Sequence, residues 1–298
     1  MPGMGKPDEN GPVLVTGASG FIGRALAARL EQTGQSVVRV SRAHGFDILR
    51  DGLPLDGVRH VFHLAARTGV AESWDEPVAY FDANALGTAR VLEQCRRHGC
   101  GMTFLSAYVY GPPQRLPIAE TEPVEPNNPY ALSKSIGEQL CAFYSRFYGL
   151  PVVALRAFNV YGPGQRDDFL IPLIVKQILD PLQSEVVVMD LRPRRDYVYI
   201  SDALEAILLA SRAASGSVFN VGSGAAYSVQ EIIERASAAA GIFKPYRALN
   251  ERRRNEIEAT FADIRALSEA VGWRPEVTID QGLVRVIESM RGTCQKST

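Results

Sequence analysis

No apolar run in this chain approaches the roughly 18 residues that a membrane-spanning helix needs, so no stretch reads as a transmembrane segment. Charge of one sign is also missing: 32 Lys and Arg stand against 33 Asp and Glu, a formal net charge of −1. A nucleic-acid binder or a polybasic membrane binder needs a concentrated positive surface, and this balance argues against both. Cysteine is scarce. Cys95, Cys100, Cys141 and Cys294 form no CxxC pair and no zinc spacing, and they read as free thiols of a reducing, cytoplasmic setting. His44, His60, His63 and His98 are scattered and offer no pair at metal-ligand spacing, so no metal is expected. The opening stretch MPGMGKPDENGP is polar, lacks the apolar core of a secretory signal, and reads as a loose tail. Internal repeats and low-complexity linkers are absent as well.

What remains is an ordinary globular composition, 46% hydrophobic over 298 residues, with room for a large core and two lobes. The first half alternates. Strand-like runs at 12–17, 36–42, 60–66, 101–111 and 151–162 are separated by helical patterns at 20–34, 80–99 and from the segment PNNPYALSKSIGEQL to about Gly149. This rhythm means βαβ units, a parallel sheet and helices on both faces. The second half is less regular. Helices are read at 167–179, over SDALEAILLASRAA with a serine N-cap, and at 228–241 with a Ser228/Glu231 capping box. Strands are read at 184–190, 195–201 and 217–223, the last returning to the main sheet, and two terminal helices flank Trp273.

Two motifs carry chemistry. VTGASGFIG sets Gly17, Gly20 and Gly23 between the first strand and its helix, where glycine allows a tight turn and close backbone approach to a pyrophosphate. Such a fold often places an acid about 20 positions on, for the ribose hydroxyls of NAD. Here the second strand ends in Ser41 and Arg42, a hydroxyl and a guanidinium that suit a 2′-phosphate. The cofactor reading therefore favours NADP(H), with NAD(H) the alternative and a solvated surface arginine the plain explanation of Arg42. Asp47 either bonds an adenine amine or caps a turn. The second motif is Tyr130 with Lys134, four apart on one helix face, at the carboxyl edge of the sheet where ligands bind in such folds. A nearby ammonium favours phenolate, and Ser106 ends the fourth strand at the same edge with a hydroxyl for a carbonyl or alcohol oxygen.

The stretches TGASGFIG, FHLAA, NALGT, LSAYVYG, YALSK, LRAFNVYGPGQ, RRDYVYISD, FNVGSG and ADIRALSEAVGWRP run in order from residue 13 to about 285. The chain resembles the extended short-chain dehydrogenase/reductases, the NAD(P)-dependent nucleotide-sugar epimerase/dehydratase group. The resemblance implies a Rossmann-type doubly wound α/β fold with a smaller mixed α/β substrate lobe toward the C-terminus. Residues 11–163 would form the dinucleotide domain with 196–226 returning to it, and 164–195 with 227–298 the substrate lobe. It implies that Tyr130 is the acid/base, Lys134 its electrostatic partner and ribose ligand, and Ser106 the substrate-orienting hydroxyl. Gly17, Gly20, Phe21, Ile22, Gly23, Ser41, Arg42, Asp47, Ile48, Leu64, Ala65 and Ala66 would line the cofactor. Asn159 matches a residue at the cofactor–substrate boundary. Arg195 and Arg253 would clamp the substrate diphosphate, Arg253 being chosen by register within ERRRNE; an ion pair with a neighbouring acid is the plain alternative for Arg195. Tyr108, Arg67 and the loop RTGVAESW fall by register at the sugar pocket.

Departures from the family pattern narrow the reaction. The 4,6-dehydratases carry an Asp-Glu pair after the serine or threonine, where this chain has Ala107 and Tyr108. The reducing 3,5-epimerases place a cysteine where Tyr108 stands. Hydride chemistry at C4 is left. Ser41 and Arg42 favour a 4-keto-6-deoxyhexose reductase, general motif similarity a 4-epimerase with tightly held NAD. A third reading, of another class, is a non-catalytic dinucleotide-binding regulator, against which the Ser106, Tyr130 and Lys134 set speaks. By resemblance the helix around 84–98 and the Tyr130 helix form a homodimer contact. Neither the base nor the sugar of the nucleotide can be read from these residues.

Overall fold

Short, buried runs of aliphatic residues build the centre of the molecule. The structure, a computed structural model, describes residues 11–251 and 254–294. In chain order β1 (Val13–Thr16), α1 (Phe21–Gln32), β2 (Val37–Val40) and β3 (His60–His63) are followed by α2 (Val70–Asp75) and α3 (Pro77–Tyr80). A π-helical stretch, Phe81–Leu86, then runs into α4 (Gly87–His98), β4 (Gly101–Ala107), α5 (Pro129–Tyr148) and β5 (Val152–Ala157). The second half holds β6 (Asn159–Tyr161), α6 (Leu170–Leu179), β7 (Val186–Val188), β8 (Arg194–Tyr199), α7 (Ile200–Ala210) and β9 (Val218–Val221). It ends with β10 (Ala226–Ser228), α8 (Val229–Ala240), β11 (Tyr246–Ala248), β12 (Ala259–Thr260), α9 (Arg265–Val271) and α10 (Ile279–Cys294).

Six strands form one parallel sheet in the order β2-β1-β3-β4-β5-β9. The chain moves outward from β1 to β2, then crosses back to β3 on the other side of β1. That reversal opens a crevice at the carboxyl ends of β1 and β3, where ligands bind in doubly wound sheets. Strands buried on both faces need helices on both, and two apolar clusters supply them: one around Val13, Leu26, Leu155 and Ile207, the other around Leu14, Val91, Met102 and Cys141. A smaller sheet has β8 paired with β10, β12 and β6, while β7 pairs β11. Its core joins α6, α8 and α10 through Ile174, Ile232 and Leu283.

Three features differ from the sequence expectations. The strand read at 151–162 is two strands: Phe158 is 6% exposed in a separate apolar cluster with Tyr110, Ile118 and Ala262, and beyond it β6 leaves the main sheet to pair β8. The helix α7 begins at Ile200 with no side-chain cap, so Ser201 is not the N-cap; Asp202 instead accepts from the backbone N–H of Glu276 and Val277. Leu267 and Trp273 lie in the apolar cluster of Val13 and Leu155, so the chain after 227 is not confined to the second sheet's layer. The capping box is present, Ser228 Oγ accepting from Glu231 N and the Glu231 carboxylate from Ser228 N.

Candidate active site

The glycine loop divides into positions the fold demands and one it does not. Gly17 has φ +68, and a Cβ there would lie 2.8 Å from Ala65 N. A Cβ on Gly23 would lie 2.2 Å from Gly17 O. Gly17 follows from packing the β1–α1 turn against the end of β3, and Gly23 from the first turn of α1 lying directly on that loop. Gly20 is different: it is exposed, with φ −72 and ψ 170, a conformation open to any residue. A Cβ there would meet only Gly17 O, at 3.2 Å, and would otherwise fill open space. What a side chain at 20 would obstruct is the cradle itself, before the N–H groups of Phe21, Ile22 and Gly23 that open α1 without carbonyls one turn back. The residues fit a dinucleotide pyrophosphate.

Leu64 and Ala65 leave β3 with both N–H groups donating to Thr16 Oγ1, at 3.1 Å each, which brings them beside Gly17 as the sequence arrangement requires; Ala66 follows in the same half-buried turn. At the end of β2, Ser41 Oγ is 2.8 Å from His44 Nδ1, and Arg42 begins a 3₁₀ turn. Arg42 is exposed, and among the described residues its guanidinium makes no ion pair or hydrogen bond. Asp47 accepts from Leu49 N at 3.0 Å, as a turn cap does; Ile48 packs against the start of α4 at Gly87.

Tyr130 and Lys134 stand in the first turns of α5. Asn128 caps this helix, its side chain accepting from Ala131 N at 2.8 Å, and Pro129 occupies N1 with φ already set for a helix. The Lys134 side chain is only 2% exposed, with its ammonium 4.2 Å from the centroid of the Phe104 ring. Among the described residues that ammonium has no hydrogen-bond acceptor, and neither has the Tyr130 hydroxyl a partner. Ribose hydroxyls and a substrate oxygen are the groups such an arrangement can take. Burial pushes the Lys134 ammonium down to about 8, and burial, with Tyr80 edge-on at 6.2 Å, pushes the Tyr130 phenol up to about 12. The expectation of a phenol made acidic by the ammonium is thus corrected for the protein alone: desolvation outweighs any pull from Lys134, and Tyr130 is a neutral phenol at pH 7.

A buried hydrogen-bond chain, not anticipated from the sequence, ties this helix to the glycine loop. Thr16 Oγ1 meets His63 Nδ1 at 2.8 Å, and His63 Nε2 meets Thr88 Oγ1 at 3.0 Å. Thr88 donates to Asn84 O at 2.6 Å, Asn84 Nδ2 donates to Ser133 Oγ at 2.9 Å, and Ser133 donates to Tyr130 O at 2.7 Å. The chain runs from the residue before Gly17 to the residue beside Lys134. FHLAA, NALGT and YALSK carry its members, so the sequence signal existed as motifs without a stated role.

The remaining expected residues are placed less simply. Ser106 Oγ donates to Glu138, and Glu138 also holds Arg156, at 2.8 Å. Arg195 is paired with Glu256 and donates to Arg194 O at 2.8 Å, the ion-pair alternative of the sequence analysis. Tyr108 donates to Gly111 O and lies near enough to Arg195 for the guanidinium to oppose the rise that burial imposes on its phenol. Asn159 is exposed and donates to Asp196 O at 2.9 Å, next to Arg195. Arg67 pairs with Glu72 and Glu76 and lies over the Tyr80 ring. Arg253 lies outside the described residues. No cluster of three or more metal-ligating side chains occurs among the described residues.

Two outcomes test this geometry. Gly20→Ala should melt within a few degrees of the native protein yet lose at least about tenfold in dinucleotide affinity, whereas Gly23→Ala should lower the melting temperature outright; fluorescence titration and thermal melting separate them. Lys134→Met should raise stability at pH 7 by about 2 kcal/mol, since it removes a desolvated ammonium. In the native protein the unfolded chain holds the Lys134 proton more tightly between about pH 8 and its ordinary value near 10.4, so native stability rises across that window and the variant's advantage shrinks there. Denaturant melts at pH 7 and 10 check the sign.

A family model described as the NAD dependent epimerase/dehydratase family matches residues 13–222. A putative UDP-glucose 4-epimerase of Methanocaldococcus jannaschii is 31% identical over 94% of this chain and 98% of its own length. The GDP-6-deoxy-D-mannose reductase of Pseudomonas aeruginosa is 33% identical over 92% of this chain and 95% of its own. The solved structure of RMD from Pseudomonas aeruginosa complexed with NADPH superposes with a TM-score of 0.87 at 31% identity, covering 95% of this chain and 99% of that one. With the six-stranded parallel sheet, these likenesses show that the chain belongs to the NAD-dependent epimerase/dehydratase family, as an NAD(P)-dependent enzyme of nucleotide-sugar chemistry.

Proposed function

We propose that this enzyme reduces a 4-keto-6-deoxy nucleotide-diphosphate sugar at C4, with NADPH as reductant. The observation that carries the reading is Arg42: exposed, without a partner among the described residues, and beside Ser41 where an NAD-selective site would carry an acid. Support also comes from Tyr130. A phenol held up to about 12 is protonated at neutral pH and suited to donate to a carbonyl oxygen, the direction a reductase needs. The relative named GDP-6-deoxy-D-mannose reductase and the neighbour complexed with NADPH fit this reading.

In this proposal a reduced nicotinamide supplies the hydride that adds to C4. Tyr130 gives its phenolic proton to the C4 oxygen, and the resulting phenolate is reprotonated from solvent. The Lys134 ammonium stabilises that phenolate and bonds the cofactor ribose. Ser106 orients the sugar oxygen after leaving Glu138, while Asn159, Arg195 and Arg253 bind toward the diphosphate. Tyr108 and Arg67 lie toward the sugar. A 4-epimerase is the second reading, favoured by the relative named putative UDP-glucose 4-epimerase; it would hold NAD through turnover and show no net redox change.

We further propose a homodimer through α4 and α5. Leu132, Phe143 and Phe147 lie on one face of α5 at helical spacing, 41%, 49% and 62% exposed, with Leu86 ahead of α4 at 47%. A second copy presenting the same face is the occupant that fits a self-complementary apolar patch. Mass measurement in solution should give twice the chain mass, and Phe143→Glu with Phe147→Glu should give monomer.

For the reaction, NADPH absorbance should fall when a 4-keto-6-deoxy nucleotide sugar is added, and Tyr130→Phe should slow this at least about a hundredfold. Arg42→Ala should raise KM for NADPH about tenfold or more while leaving NADH little changed. Retained NAD with no consumption of NADPH by any such ketone would turn the assignment to the epimerase.

A further inference from the structure

Residues 254–256 touch the rest of the molecule at three places. The Arg254 guanidinium lies 4.0 Å from the centroid of the Trp74 ring on α2. Asn255 Nδ2 donates to Asn127 O at 2.9 Å while Asn127 Nδ2 donates to Asn255 O at 3.1 Å, a reciprocal amide pair just ahead of α5. Glu256 takes a hydrogen bond from Arg195 Nη2. One short segment thus spans α2, the approach to the Tyr130 helix and β8.

We propose that Glu256 is a built-in substitute for the substrate diphosphate: it holds Arg195 until a nucleotide arrives, and binding exchanges one anion for the other. This rests on the reading of Arg195 as a diphosphate ligand. The argument is one of donors. Both terminal nitrogens of Arg195 are used, Nη1 on Arg194 O at 2.8 Å and Nη2 on Glu256. Nη2 belongs to both two-donor edges of the guanidinium, Nε/Nη2 and Nη1/Nη2, so a carboxylate seated on it stands in the way of a fork-like contact to a diphosphate. The carbonyl of Arg194 belongs to β8 and cannot move without breaking its pairing with β10 and β12; the Glu256 side chain can. Arg195 and Glu256 are 21% and 19% exposed, so neither charge is cheaply left bare, and a carboxylate cannot stay beside a phosphate on the same guanidinium without like-charge repulsion. The Arg195 guanidinium lies near enough to Tyr108 to oppose the rise that burial imposes on that phenol. Glu256 therefore lowers the affinity for the nucleotide while keeping Arg195 aimed, and its departure loosens a segment whose other anchors are an amide pair and a ring contact.

Calorimetric titration of the full chain with UDP, GDP, dTDP and CDP tests this. Glu256→Gln, which keeps the shape and removes the charge, should bind the accepted diphosphate about threefold to fivefold more tightly than the native protein, the span of a partly exposed ion pair. Should that variant fail a melting check, Glu256→Asp carries the test in the same direction, its carboxylate drawn back by one methylene. Equal or weaker affinity in the folded variant, with Arg195→Met abolishing binding, would overturn the exchange and leave Arg195 as a diphosphate ligand. Unchanged binding in Arg195→Met would instead overturn the underlying reading, and no binding of any of the four nucleotides by the native protein would overturn both.

Discussion

The position of the reactive helix depends on one buried chain of hydrogen bonds, and the direction of every proton in it is determined. Thr88 spends its only hydroxyl proton on Asn84 O, so it must accept from His63 Nε2–H. His63 Nδ1 is then the acceptor for Thr16, whose oxygen in turn accepts from Leu64 and Ala65. Such a chain tolerates only neutral imidazole, and burial, reinforced by the Lys134 charge, holds His63 down to about 3. Thr16, His63, Asn84, Thr88 and Ser133 are each 0% exposed, so a broken link strands a polar group away from water at a cost of about 1–3 kcal/mol. The glycine cradle and the Tyr130–Lys134 turn are consequently parts of one rigid unit rather than neighbours by accident of folding.

A second constraint joins the sheets. Asp196, also 0% exposed, accepts from Ser223 N, Ser223 Oγ, Gly224 N and Ala262 N, replacing its lost water with four donors. Those donors come from the turn after β9 and from the segment after β12, so β8 is fixed to the main sheet at the residue following Arg195. Asn159 bonds the carbonyl of the same aspartate. Arg195 and Asn159, the groups proposed to bind toward the diphosphate, are therefore carried by a joint of the fold held by buried polar contacts.

Legibility in the sequence followed range. The parallel strands, the glycine loop, the helix beginning in PNNPYALSKSIGEQL and the Ser228–Glu231 box are local patterns, and local patterns are what apolar spacing and capping chemistry report. The break at Phe158 was hidden because a strand that changes sheets keeps its alternation. The π-helical stretch at Phe81–Leu86 was hidden because one extra residue per turn hardly disturbs an apolar stripe. At the site, residue identities and shared edge could be read, but orientations could not. Glu256 lies 61 positions from Arg195 and Glu138 lies 32 from Ser106, and no periodicity announces a pairing over such separations.

The Ser106 contact illustrates how an apparent conflict with function is resolved by counting partners. Glu138 receives Arg156 Nε at 3.2 Å and 3.0 Å and Nη2 at 2.8 Å, and the guanidinium also lies over the Tyr110 ring. Although burial works the other way, the Glu138 carboxylate holds Arg156 above its ordinary value, so the guanidinium stays charged across any working pH. Removing Ser106 from Glu138 leaves that carboxylate satisfied and costs about one neutral-donor hydrogen bond, on the order of 1 kcal/mol, which a substrate oxygen returns. Were Arg156 absent, Glu138 would rely on the Ser106 hydroxyl and hold it against the substrate. The buried ion pair thus makes the serine movable, and a hydroxyl that is parked on a satisfied carboxylate is compatible with one that turns to the sugar during the reaction.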